Sequence, residues 1–173
     1  MPDFYGTVAA ADAYNAARAN TAWTGDEVAK QAALLRASVY IDGRYRKQLP
    51  SGVWASLFPG LKTGGRAQAR EWPRTGAADY EGNVLPDDAV PIEVEYATYE
   101  AAWRELSSPG SLSPDFVASQ TIKREKVGPL ETEYATGTLA DGAASVRPVI
   151  SIIDEIIAPV LVARYVLPVA VVV

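Results

Sequence analysis

The stretch Val90-Pro91-Ile92-Glu93-Val94-Glu95-Tyr96-Ala97-Thr98-Tyr99-Glu100-Ala101-Ala102-Trp103-Arg104-Glu105-Leu106 decides the fold. Ile92, Tyr96, Tyr99, Trp103 and Leu106 fall at steps of four, three, four and three, which lines one face of an α-helix. Val94, Ala97 and Ala101 form a second, smaller apolar face. The pattern predicts a helix over 86–106, capped by Asp87 or Asp88, with Pro91 in the first turn, where a missing N–H costs little. Ser107-Ser108-Pro109-Gly110 stops it. A helix apolar on two sides belongs at the centre of a bundle or of an oligomer.

Working outward, three further helices are expected. Val8 to Asn20 is alanine-rich, and alanine is the best helix former. Thr24 with Glu27 makes a capping box, after which Val28, Ala32, Leu35 and Val39 recur at helical spacing up to Asp42-Gly43. Ser145 caps a last helix with Pro148 in its first turn; Val149, Ile152, Ile153, Ile156, Ile157 and Val160 line its apolar side, and Pro159 kinks or ends it. Residues 117–135 read as a β-hairpin broken at Gly128-Pro129. Residues 44–83 carry so many prolines and glycines that few regular elements survive, apart from a short helix around Gly65 to Glu71. Such a loop is functional or packed by its own side chains; Trp54, Phe58 and Trp72 are its expected buried anchors. The fold class is therefore mainly α: a small helical bundle with a β-hairpin, a long irregular loop and an extended C-terminal arm. The helical domain spans 1–160 and the arm 161–173.

Composition excludes much chemistry. The 173 residues contain no cysteine and no histidine, which removes disulfides, Cys/His zinc sites and every His-dependent triad. The remaining carboxylates show no organised pair. Glu93, Glu95, Glu100 and Glu105 share a face poorly, and a solvated face or inter-subunit salt bridges explain them better than catalysis. No enzyme activity, metal or cofactor is expected, and the N-terminus shows no signal peptide. Gly60-Leu61-Lys62-Thr63-Gly64-Gly65 holds P-loop ingredients in the wrong order. The net charge of -5 argues mildly against a grip on nucleic acid. Locally, however, Lys62, Arg66, Arg70 and Arg74 surround Trp72, an arrangement that can bind single strands, bind an acidic neighbour or remain solvated.

The tail Leu161-Val162-Ala163-Arg164-Tyr165-Val166-Leu167-Pro168-Val169-Ala170-Val171-Val172-Val173 has three readings. A membrane span needs about 20 apolar residues, and here that length includes Asp154, Glu155, Arg164 and two prolines, so no membrane partner is expected. The tail is either tucked into its own core or is an arm laid on a partner. The arm is preferred, with Leu161, Val162, Arg164, Tyr165, Val166, Leu167, Val169 and Val171 as its contacts.

Several pieces in order carry a family resemblance: Tyr5-Gly6; Ala11-Asp12-Ala13-Tyr14 with Asn20 and Trp23; Leu34 to Asp42; Trp72-Pro73-Arg74-Thr75-Gly76; Val90-Pro91-Ile92-Glu93-Val94; Val127-Gly128-Pro129 with Tyr134; and Arg147-Pro148. Over about residues 4–160 the chain resembles the head–tail connector (adaptor) proteins of tailed bacteriophages, in the branch labelled DnaT-like single-stranded-DNA-binding. The resemblance implies a homo-oligomeric ring of about twelve copies under the portal protein. Such a ring extends the channel for passing double-stranded DNA without sequence-specific binding and presents a surface to a tail or neck protein (stopper or tail terminator). It implies a place in the neck of the virion after synthesis in the host cytoplasm, and an arm reaching the portal. Trp54, Phe58, Arg70, Trp72 and Arg74 are candidate inter-subunit or tail contacts. The alternative is a single-stranded-nucleic-acid-binding replication accessory protein.

Overall fold

The computed structural model describes residues 3–115, 124–127, 130–133 and 148–162. In chain order the elements are α1 (Val8–Ala17), α2 (Glu27–Arg44), β1 (Arg46–Gln48), β2 (Trp54–Ser56), β3 (Leu61–Lys62), a 3-10 turn (Gly65–Ala67), β4 (Arg74–Thr75), α3 (Ile92–Ser107), β5 (Arg124–Val127), β6 (Leu130–Glu133), α4 (Ser151–Ile157) and a 3-10 turn (Ala158–Val160). The mainly helical reading holds. Among the described residues the strands form three separate antiparallel pairs, β1–β2, β3–β4 and β5–β6, and the last falls in the expected hairpin. The break expected at Gly128-Pro129 and the residue Tyr134 lie outside the described residues, as does Ser145, the expected cap of the last helix. Among the described residues no helix is long and apolar enough to cross a membrane.

Helix ends differ from expectation for local reasons. The Asp26 carboxylate, not Thr24, accepts the Ala29 N–H at 2.8 Å and caps α2. Gly25, at φ +136°, turns the chain just before it. α3 has Pro91 at its cap and no side-chain cap at all. Asp87 looks the other way, accepting from the Thr75 hydroxyl at 2.9 Å, and so ties the irregular segment to the start of α3. α1 stops at Ala17 because Ala19 adopts φ +54° and Asn20 hooks back onto Asn15 through backbone and side chain.

α3 is central, packed against α2 and α4 with α1 alongside. The expected stripe of α2 is not its core face, whereas on α3 the smaller expected face of Val94, Ala97 and Ala101, joined by Tyr99, is the one buried. On α3 the buried positions are Val94, Ala97, Thr98, Tyr99, Glu100, Ala101, Ala102 and Glu105, while Ile92 and Tyr96 remain 50 % and 38 % exposed. On α2 the core takes Ala33, Leu34, Ala37, Ser38, Tyr40 and Ile41, while Val28, Leu35 and Val39 stay on the surface at 74 %, 39 % and 50 %. Small residues on both faces leave room for Leu34, Tyr40, Ile41 and Tyr99 in the core, while Val28, Leu35, Val39, Ile92 and Tyr96 stay at the margins. Gly6 serves the same end: at φ +73° it lies against the Tyr99 ring, which an added Cβ would overlap. Ile153, Ile157 and Val160 of α4 and its following turn close the core, each burial worth about 1.5–3 kcal/mol.

The irregular segment is packed by its own side chains. Tyr45, Leu57, Phe58, Trp72 and Ala77 are all buried in the common core, and Phe58 meets Trp72 edge-on at 5.7 Å. Trp54 is the exception: it is 65 % exposed, not a buried anchor. The helix expected around Gly65 to Glu71 is the single 3-10 turn. Glu100 and Glu105 are likewise not on a solvated face. Glu105, 1 % exposed, pairs with Arg36 at 2.8 Å within the same chain and accepts the Gly110 N–H at 2.7 Å.

Candidate nucleic-acid interface

The basic residues around Trp72 split into two groups. Arg74 is 4 % exposed, and its guanidinium donates to the Pro59 and Gly60 carbonyls, both at 2.6 Å, and to Glu71 Oε2 at 2.8 Å. Glu71 is itself buried, and Arg46 and Lys62 each reach its Oε1 at 3.4 Å. Arg70 bridges Asp3 and Asp42, both at 3.2 Å, pinning the N-terminal segment to α2. Behind it the Tyr5 hydroxyl donates to Asp42 Oδ1 at 2.5 Å and accepts the Trp72 N–H at 3.2 Å. Burial raises the Asp42 carboxyl above its ordinary range, and the Tyr5 hydrogen bond and Arg70 only partly offset it. Burial and the neighbouring Asp42 also push the Tyr5 hydroxyl far up, so it stays a donor. Arg70, Trp72 and Arg74 are thus internal braces. So is Phe58, buried between Tyr45 and Trp72.

The exposed cations lie elsewhere. In the β1–β2 ladder Gln48 stands opposite Trp54, Lys47 opposite Ala55 and Arg46 opposite Ser56. Paired residues share a face and alternate along the strand. Arg46, Gln48, Trp54 and Ser56 therefore lie on one face, with Lys47 on the other. The Arg46 side chain keeps 43 % exposure beside its contact to Glu71. Lys62 converges on the same carboxylate from β3, and the neighbouring 3-10 turn carries exposed Arg66, which makes no ion pair among the described residues. An indole facing solvent beside arginine and lysine can stack on a base while the cations meet phosphates. Of this set the sequence reading singled out Trp54, Lys62 and Arg66. It missed Arg46, Lys47 and Gln48; the only local signal is the basic run Arg44-Tyr45-Arg46-Lys47 ahead of Pro50-Ser51-Gly52 and Trp54.

The arm is described only at its root. Leu161 packs partly buried against the core, and the Val162 N–H donates to the Leu57 carbonyl at 2.8 Å. Arg164, Tyr165, Val166, Leu167, Val169 and Val171 lie outside the described residues. Among the described residues no group of three or more carboxylates could hold a metal ion.

No curated protein and no solved structure matches the chain. A family model matches residues 2–172, and the chain belongs to that family, described as "Putative DnaT-like ssDNA binding protein".

Proposed function

We propose that the protein binds single-stranded nucleic acid without sequence preference, through the face of the β1–β2 hairpin. Trp54 stacks on a base, while Arg46, on the same face, and the exposed Arg66 meet the backbone. The observation that carries this reading is the 65 % exposure of Trp54 on a strand paired with a basic one. The family description points the same way. The net charge of -5 keeps the grip local and sensitive to salt. Adding oligo(dT) should quench the Trp54 emission, and a Trp54→Phe variant should lose that part of the signal. Equal quenching in the two proteins would remove the hairpin from the interface.

A second reading is favoured by the surface stripe Val28, Leu35 and Val39 on α2, an apolar helix face turned to solvent. It is a non-catalytic connector subunit of a tailed phage. About twelve copies would form a ring in the virion neck between portal and tail proteins, with no cofactor. An acidic lumen would let DNA slide past without sticky contacts. Mass measurement of the pure protein with and without a portal ring tests it. A protein that stays monomeric and ignores the portal rules it out.

A further inference from the structure

A cleft of about 750 Å³ opens between the segment after β4 and the C-terminal helix, on residues that the proposed nucleic-acid face does not use. One wall carries Asp79 and Tyr80, the other Asp154 and Glu155, and Pro59 and Leu161 supply apolar lining. The volume falls in the range of roughly 300–1,000 Å³ usual for binding pockets.

Its chemistry is one-sided. Asp79 is held charged: hydrogen bonds from the Asn83 side chain and from nearby backbone N–H groups keep its carboxyl below the ordinary range. Arg44 lies beside Asp154 and spends its guanidinium there, at 3.1 and 2.8 Å. Glu155 is exposed, and its carboxylate makes no hydrogen bond or ion pair among the described residues. Tyr80 has its backbone N–H fixed to the Pro159 carbonyl at 2.9 Å, yet its side chain is 70 % exposed. A site with surplus carboxylates repels phosphate. It suits a cation on a short apolar stem, which can meet Glu155 and Asp79 and lie over the Tyr80 ring.

We propose that this cleft docks an extended segment of a partner protein in which arginine or lysine adjoins an apolar residue. The cation pairs with Glu155 and Asp79 beside Tyr80, and the apolar neighbour rests on Leu161 and Pro59. The full-length protein is titrated into a fluorescein-labelled hexapeptide of alternating leucine and arginine, and into its counterpart of alternating leucine and glutamate. Saturable binding of the arginine peptide alone is expected, weakened at least tenfold by Glu155→Lys and by Tyr80→Ala. Both positions are exposed, so the fold is retained. Trp54→Ala should leave peptide affinity unchanged, which separates this site from the nucleic-acid face. Equal binding of the two peptides overturns the proposal. So does wild-type affinity in either cleft variant, or an equal loss from Glu27→Lys at the start of α2, which would mean unspecific charge attraction.

Discussion

Replacing Arg74 by alanine removes a guanidinium that donates to the Pro59 carbonyl, the Gly60 carbonyl and both the backbone and side chain of Glu71. With Arg74 4 % and Glu71 6 % exposed, the variant strands a buried carboxylate and three carbonyl groups. Breaking a buried pair by deleting one partner costs about 3–5 kcal/mol, mostly through the charge left behind. Arg46 and Lys62 still reach Glu71 at 3.4 Å from partly exposed positions, which places the loss at the lower end, about 3 kcal/mol. Lysine keeps the charge but not the planar fork, so Arg74→Lys should lose about 1–2 kcal/mol. Adding Glu71→Gln to Arg74→Ala should recover part of the loss, because the stranded charge is gone. Urea unfolding followed by tryptophan emission reads all three, with the slope unchanged if only stability moves. The folded Arg74→Ala protein should bind oligo(dT) like the wild type. A stability loss below about 1 kcal/mol would refute the bracing role. Normal stability with weakened binding would return Arg74 to the nucleic-acid face.

Tyr5→Phe removes the donor to Asp42 and the acceptor of the Trp72 N–H, and should cost about 1–3 kcal/mol by the same unfolding assay. Burial pushes the Glu100 carboxyl up, but hydrogen bonds from Arg104, Trp103 and Tyr14 more than reverse this and leave it below the ordinary range. Its contribution is therefore present above the ordinary carboxylate pKa and lost as pH falls through the lowered value, so Glu100→Gln should flatten the acid limb of the stability profile. Asp42 has the opposite sign. Its raised carboxyl favours the fold at low pH and loses that contribution as pH rises through the raised value, so Asp42→Asn should lose less stability than wild type on going from acid to neutral pH. Val28→Glu with Val39→Glu, both on exposed positions, should change stability by less than about 0.5 kcal/mol yet abolish any assembly seen by mass measurement.

Periodicity located the helices but misjudged the face of α2 and ranked the two faces of α3 in the wrong order. Val28, Leu35 and Val39 keep perfect helical spacing, and so do Ala33, Ala37 and Ile41 on the opposite side. Spacing alone cannot say which set meets α3. The choice was made by close approach through alanines, which a scale that rewards large apolar side chains undervalues. The same bias promoted Ile92 and Tyr96 above Val94 and Ala97. Buried charge was equally illegible. Nothing local in the sequence tells Arg74, fixed by carbonyls 14 and 15 residues away, from Arg66, which faces solvent. The hairpin was hidden because β1 and β2 are three residues each, too short for alternation to register. The aromatic among cations was legible as a type of feature; which aromatic it was had to come from the fold.

The central claim rests on Trp54 and the cations beside it, and one titration tests it most directly: anisotropy of labelled oligo(dT) over a salt series with wild type, Trp54→Ala and the Arg46→Ala/Arg66→Ala pair. Trp54→Ala should weaken binding by about 1–3 kcal/mol, the value of one base stacked on an aromatic ring. The double variant should make the dependence of log affinity on log salt shallower by about 1.4, about 0.7 for each single-strand phosphate that is no longer neutralised. Binding that is absent at low salt, or identical in all three proteins, would contradict the account.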